Sequence, residues 1–506
     1  MYLLVFLSAI LFLGVVWYWF YRRQFQFADK WPSVQPRYPI VGNAPIMLGK
    51  NDVERFQEIK RVFGECDRIT TAWAGPKMLL ITSHPDIVHQ ILSSPDCLER
   101  PFLYRFAGFT QGIFTAKLPV WKDNRKRLNS TFNQRIVHGF VPYFVKCCEK
   151  MTESLLACAD EEIVNIQKYT AVCALEMAAG TTLGGDVLQQ AEGKVEFKRG
   201  LDLAFNGASR RMITVHLYPD FIYQLTHYYK ELMEGRRIIC DFFTKLLIER
   251  KKFLLHQSNN SDADAEEEYN KPKILVDQLL GVSHDGRQFN DIQIRDNVYA
   301  VITGATDTTS LATAHACLFL SFYPDIQERV HAEIAEVFPG DSTDYSPENI
   351  KKLTYLDMFI NEVQRHCTVV PYVARENTAE IEIDGVKVPP GNIFIMSLYT
   401  MHKRADIWGP DAEKFDPENF TEERIKERHP AAFLPYSAGS KNCLGWRYAI
   451  FGMKLIMIHL VRNFHFSSKI KHEDMQFRHD LTLKLPFQHL VQLKKRNPGR
   501  CPTVAG

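Results

Sequence analysis

Cys443 stands between two glycines in the run Tyr436-Ser-Ala-Gly439-Ser-Lys441-Asn-Cys443-Leu-Gly445, directly ahead of an apolar stretch that ends near Phe464. A cysteine at the mouth of a helix can present its sulfur outward, where first-turn amides and the helix dipole favour the thiolate, the form that ligates a metal or attacks as a nucleophile. Taken alone it is also consistent with a small buried hydrophobe. A second segment, Gly304-Ala305-Thr306-Asp307-Thr308-Thr309, lies inside a long helical pattern. There Val301, Gly304, Ala305, Thr308 and Ala312 share a narrow face that is mostly small, with one hydroxyl. Such a face admits a flat cofactor closely, or simply lets two helices approach. Asp307 and Thr308 speak for a task, because polar side chains are unfavourable inside a buried helix without one. Glu362 and Arg365 stand at i and i+3, close enough to pair on one helix face. Trp121 and Arg125 sit in a basic stripe with Lys122, Lys126 and Arg127 that is either solvated or turned toward an acidic partner.

These side chains need a mainly helical scaffold with small β-sheets. Apolar residues recur at three- and four-residue spacing over 144–159, 201–211, 228–253, 291–322, 324–338, 350–366 and 445–464. Strand patterning is confined to 69–82, broken at Ala74-Gly75-Pro76, and to 379–397, broken at Asp384-Gly385 and at Pro389-Pro390-Gly391. The 506 residues carry 61 basic and 59 acidic side chains, a formal charge of +2, which argues against a general nucleic-acid binder. Hydrophobic residues make up 46%, too many for a mainly disordered chain. The 11 cysteines are scattered without a Cys-x-x-Cys pair, excluding a zinc ribbon or a disulfide-stapled domain and fitting reduced thiols in a cytosolic protein.

From Tyr2 to Tyr21 the chain is apolar and uncharged, and helical residues in that number rise about 30 Å, the thickness of a bilayer's hydrocarbon core. An aromatic cluster, Trp17, Tyr18, Trp19 and Tyr21, followed by Arg22 and Arg23, matches an interfacial belt with a positive-inside flank. A cleaved signal peptide would want a basic residue before the apolar run and a small-residue cleavage site after it, and neither is present. The expected organisation is a transmembrane anchor over 1–21, a basic and proline-rich hinge over 22–43, and a catalytic domain over 44–506. Within that domain, 255–272 reads as an exposed flexible loop from its polar, acidic composition.

Taken in order, the motifs resemble the cytochrome P-450 haem-thiolate monooxygenases. Tyr436, Gly439, Lys441, Cys443 and Gly445 occupy the defining positions of that family's haem loop, with Tyr for its Phe and Lys for its Arg. Lys441 keeps the charge and loses the bidentate fork. Gly304 to Thr309 resembles the oxygen-activation motif, with Ala305 for a second glycine, where the threonine hydroxyl and the acid take part in proton delivery. Glu362 and Arg365 match the family's Glu-x-x-Arg, and Arg375 and the Trp121/Arg125 pair match groups that reach the haem propionates. Asn419, in Phe415-Asp-Pro-Glu-Asn419-Phe420, replaces an arginine that completes a network with Glu362 and Arg365; an amide donates hydrogen bonds but cannot neutralise a carboxylate.

Smaller features, Tyr218-Pro-Asp-Phe-Ile-Tyr223 and Glu427-Arg-His-Pro430 among them, are similar to the fourth-family clan, which includes fatty-acid omega-hydroxylases and many insect enzymes. Gly304 occupies the position of a glutamate that esterifies haem in some members, so no ester is expected. The resemblance implies haem b on Cys443, electrons from NADPH through a cytochrome reductase, with cytochrome b5 as a further donor, and residence on the cytosolic face of the endoplasmic reticulum membrane. It places Phe106, Phe109, Phe114, Val301, Val370, Val373, Leu481 and Leu483 in an apolar substrate pocket for a lipophilic molecule such as a fatty acid, a hormone-like lipid or a xenobiotic. Two other readings compete: an isomerase or dehydratase needing no external electrons, against which Asp307 and Thr308 stand, and a catalytically silent haem protein that binds a hydrophobic ligand.

Overall fold

A computed structural model describes residues 22–496 except 39, 40, 161, 185–190, 260–273, 282, 285, 286 and 341, with a few isolated positions before residue 20. The expected anchor, 1–21, lies mostly outside the described residues, and among those described no helix is long and apolar enough to cross a membrane. Helices of nine or more residues and strands of three or more are, in chain order, α1 (Asp52–Gly64), β1 (Thr70–Ala74), β2 (Lys77–Thr82), α2 (Pro85–Ser93), α3 (Leu118–Asn129), α4 (Val141–Leu156), β3 (Ile163–Asn165), α5 (Ile166–Leu183), α6 (Ala191–Ile213), α7 (His227–Asn259), α8 (Asp291–Phe322), α9 (Pro324–Val337), α10 (Thr354–His366), β4 (Tyr372–Glu376), β5 (Ile381–Ile383), β6 (Val386–Val388), β7 (Ile393–Ser397), α11 (Trp446–Asn463), β8 (Phe464–Ser467) and β9 (Leu490–Lys495). The fold is mainly helical with small sheets, as the periodicity predicts.

The largest sheet has the order β1-β2-β7-β4, with β2 and β7 parallel and the other pairs antiparallel. A second sheet joins β8, β9 and β3. The Asp384-Gly385 turn makes the β5–β6 hairpin, and the chain after Pro390 crosses into the large sheet as β7. Helix α8 starts where Asn290 and Gln293 form a reciprocal cap: the Asn290 side chain accepts from the Gln293 amide at 2.9 Å and the Gln293 side chain accepts from the Asn290 amide at 3.1 Å. Its first half joins α5, α6 and α7 in one apolar cluster through Ile294, Val298 and Ile302, and its second half enters the main core with α11 through Ala314, Leu318 and Phe319. One helix therefore runs through the molecule and carries Gly304–Thr309 to its centre.

Two expectations need correction. The pattern over 350–366 is broken: Pro347–Ile350 forms a separate turn and α10 begins at Thr354. The reason is tertiary, since Glu333 of α9 accepts from the amides of Tyr355 and Leu356 at 2.7 and 2.8 Å and caps α10 from another helix. The loop assigned to 255–272 starts later, because α7 continues to Asn259; residues 260–272 lie outside the described residues.

Candidate active site

The Cys443 loop is shaped from behind. Gly439 has φ +70°, and a Cβ there would overlap the carbonyl oxygen of Leu92 at the end of α2, so only glycine allows the loop to press against that helix. The Cys443 amide then donates to the Tyr436 carbonyl at 2.9 Å, closing the loop and turning the thiol outward. Gly439 itself does not line the cavity; it sets the loop's shape. Among the described cysteines Cys443 alone is exposed, and what it faces is a cavity of about 690 Å³. Protein encloses the sulfur on its other sides and pushes its pKa up, while the Gly445 amide and Arg125 act in the opposite direction.

Across from the thiol, α8 presents Val301, Gly304, Ala305, Thr308 and Ala312 to the same cavity, and a Cβ added at Gly304 would meet nothing within 4 Å. The flat, small face predicted from the spacing therefore lines an open cavity and is not occupied by a packed helix. The Thr308 hydroxyl donates to the Gly304 carbonyl at 2.5 Å. Asp307 accepts from the Thr482 hydroxyl at 2.8 Å and lies 3.7 Å from the Lys484 ammonium.

Between these walls the cavity is rimmed by cations that pair with no carboxylate among the described residues. Trp121, Arg125, Arg375 and Lys441 all line it, and so does Arg100, which no local pattern in the sequence singles out. Nε of Arg100, Nε of Arg375 and Nζ of Lys441 are buried without a hydrogen bond. Burial, together with Arg100 and Arg375, brings Lys441 down to about 6, and burial brings Arg100 down to about 10. Lys441 rests over the Trp121 ring at 4.2 Å, and Arg125 donates to the carbonyl and side-chain oxygen of Asn442 at 2.8 and 2.6 Å, tying α3 to the cysteine loop. Buried unpaired cations are costly, and a ligand bearing carboxylates at this rim would relieve that cost. Haem, a flat porphyrin whose iron takes a thiolate and whose two propionates take cations, fits this donor set.

The sequence profile of the cytochrome P-450 family matches residues 32–491. The chain belongs to the cytochrome P-450 family. Curated relatives align over nearly their full lengths: probable cytochrome P-450 313a4 of Drosophila melanogaster is 28% identical over 96% of this chain and 98% of its own. Cytochrome P-450 4c21 of Blattella germanica is 27% identical over 96% and 98%, and cytochrome P-450 4V2 of Mus musculus is 29% identical over 94% and 92%. The chain is accordingly a haem-thiolate monooxygenase, an oxidoreductase.

Of the pocket residues expected in this P-450, Phe109, Phe114, Val301, Val370, Val373 and Leu481 line the cavity. Phe106 and Leu483 do not. The Phe106 ring is buried against the Arg211 guanidinium at 4.2 Å and Tyr218 at 5.5 Å, and Leu483 turns into the main core as its amide bonds the Val369 carbonyl at 2.8 Å. The buried Glu362 and Arg365 pair through two bonds of 2.7 Å, and Asn419 donates to Glu362 at 3.3 Å. Burial pushes Glu362 up, but Arg365 and His366 outweigh it and bring it to about 2. The positive charge that Asn419 lacks arrives from Arg428, which donates to the Asn419 backbone carbonyl and, at 3.0 Å, to its side-chain oxygen. Arg365 and Arg428 also flank the Trp408 ring, at 4.8 and 4.4 Å. Arg365 donates to the His402 carbonyl at 3.1 Å, and His402 accepts from the Leu434 amide at 2.9 Å, linking this network to the start of the cysteine loop. Arg428 belongs to the Glu427-Arg-His-Pro430 run visible in the sequence, but its partner could not be read there.

Proposed function

We propose that this P-450 is a membrane-anchored monooxygenase that takes a lipophilic substrate into the cavity between α8, β4 and the 109–115 segment, with Cys443 as the thiolate that would hold the haem iron. The observation that carries the reading is the one exposed thiol among the described cysteines, facing a cavity whose rim holds cations with buried nitrogens left without a hydrogen bond. Haem b bound there would supply the iron chemistry that reduces oxygen and oxidises the substrate. Arg100, Arg125, Arg375, Lys441 and Trp121 would hold the propionates, and Tyr436 would cover the thiolate side. Thr308, its hydrogen given to the Gly304 carbonyl, offers the cavity lone pairs that orient a water. Asp307 receives protons along Lys484 and Thr482, and Lys484 reaches Asp480 at 4.0 Å, so an ionisable path leads away from the cavity.

NADPH-cytochrome reductase, with cytochrome b5 as a second donor, supplies the electrons. The apolar 2–21 segment with its Arg22-Arg23 flank supports an anchor in the endoplasmic reticulum membrane, with exposed Phe221 and Leu225 as a further apolar contact. Replacing Cys443 with Ser tests the site: the thiolate-type spectrum of the ferrous carbon monoxide complex should vanish, while Cys367→Ser, at a buried thiol, leaves it unchanged. A Cys443→Ser protein that kept the band would place the ligand elsewhere.

A further inference from the structure

The segment that walls the cavity opposite β4 is riveted to α8. Asp296 and Asn297, 1% and 0% exposed, project from α8 two turns before Gly304. Asp296 accepts from the Gln111 amide at 3.0 Å, and Asn297 accepts from the Ile113 amide at 2.8 Å. From α3, Asn124 donates to the Gln111 carbonyl at 2.7 Å. Gly112 lies between these bonds, where a Cβ would overlap the Asp296 carbonyl, so the two backbones touch. Arg295 bonds the other Asp296 oxygen at 2.7 Å, and the Asn297 amide nitrogen donates to the Gln293 carbonyl at 2.9 Å, which fixes both side chains before they reach the loop.

This attachment sets the position of one ring. Phe109 has φ +50°, a left-handed conformation that a phenylalanine keeps only where its surroundings impose it. Its carbonyl accepts from the Thr115 hydroxyl at 2.6 Å, and its ring stacks on Tyr299 at 3.9 Å, with the Arg236 guanidinium 5.3 Å from its centroid. Phe109 and Tyr299 both line the cavity, Tyr299 standing on α8 between Asn297 and Gly304. Wall segments of this kind open readily when their amides are free to exchange with water; here the amides are held by buried side chains. We propose that Asp296 and Asn297 are positioning residues for specificity: they hold the 108–115 loop so that the Phe109–Tyr299 stack is a fixed wall that limits substrate bulk. The proposal rests on the monooxygenase reading of the cavity and adds what selects its substrate.

The test uses haem-loaded full-length protein and imidazole ligands of graded bulk, from imidazole to a triphenylmethyl imidazole, titrated by haem spectral shift. Asn297→Leu, which removes the acceptor at similar volume, should raise hydrogen–deuterium exchange of peptides covering 108–115 by ~10-fold, as loss of one buried hydrogen bond requires. It should also lower the bulky-to-small ratio of dissociation constants by ~10-fold, whereas Asn297→Asp, which keeps the acceptor for Ile113 but loses the donation to the Gln293 carbonyl, should change both readouts less than Asn297→Leu. Phe109→Ala should lower the ratio without raising exchange as far. If Asn297→Leu fails to load haem, Asn124→Val, which frees the Gln111 carbonyl, takes its place with the same two expected changes. Unchanged exchange in the variant that loads, or faster exchange with an unchanged size ratio, overturns the proposal. A parent protein that showed no spectral shift with imidazole would instead refute the haem reading, while the exchange measurement would still report on the loop.

Discussion

Removing the Arg428 guanidinium should weaken the region that supports the cysteine loop, although Arg428 touches neither the cavity nor Glu362. In Arg428→Ala the lost contacts are two donations to Asn419, one at 3.0 Å and one to its backbone carbonyl, and the stacking on Trp408 at 4.4 Å. With Arg428 partly open to solvent, each bond is worth about 1 kcal/mol and the ring contact ~0.5–1, giving a loss of about 2.5–3 kcal/mol. Arg365→Met should cost more, ~3–5 kcal/mol, because it strands a fully buried Glu362 carboxylate. Arg424→Ala should cost at most ~0.5 kcal/mol, since Arg424 is 46% exposed and meets Asn419 only at 3.4 Å. Urea titration of the ferric protein, followed by the haem absorption band, ranks the three. Arg428→Ala and Arg424→Ala with equal midpoints would refute the claim that Arg428 completes the network through Asn419. Arg428→Lys separates charge from geometry, because an ammonium cannot span both Asn419 oxygens and should recover only part of the loss.

Thr308→Ala should uncouple electron use from product: NADPH is still consumed with the reductase present, peroxide rises and product falls, while Asp307→Asn slows turnover because an amide does not relay protons. Equal rate and coupling in Thr308→Ala would remove that α8 face from the chemistry. His315 and His489 are buried 5.0 Å apart with no hydrogen bond at any of their ring nitrogens, and burial holds His315 far down and brings His489 to about 4. Because the folded value lies below the unfolded one near 6.5, His489 contributes stability above pH 6.5 that is lost as pH falls toward 4, about 2 kcal/mol by pH 5. His489→Phe should reduce the difference in urea midpoint between pH 7 and pH 5, and an unchanged difference would acquit the histidine. Deleting residues 2–21 should release most of the protein from microsomal membranes without preventing haem loading, read by carbonate extraction and the carbon monoxide band; an unreleased protein would mean that the anchor lies elsewhere.

Much of the site was legible because its signals are local. Cys443 ahead of α11, the small face around Gly304 and the Glu362–Arg365 pair each depend on spacings of a few residues, which helical geometry converts directly into position. The same logic located the β1–β2 hairpin and the full span of α8. It failed where a residue's partner comes from far along the chain. The break before Thr354 depends on Glu333 of another helix, and Phe106 and Leu483 are apolar residues in the expected segments whose rotation was decided by Arg211 and by the Val369 carbonyl.

By itself, then, the sequence determined the fold class, the family, the helix that crosses the molecule and the cysteine that faces its cavity, since periodicity, caps and short motifs act within one or two turns. Only the tertiary structure decided which charges meet: that Arg100 joins the rim, that Thr482 and Lys484 hold Asp307, and that Arg428 reaches Glu362 through Asn419. Those contacts join residues from separate elements. Their energies depend on distance and burial, and neither is set until the helices pack around α8.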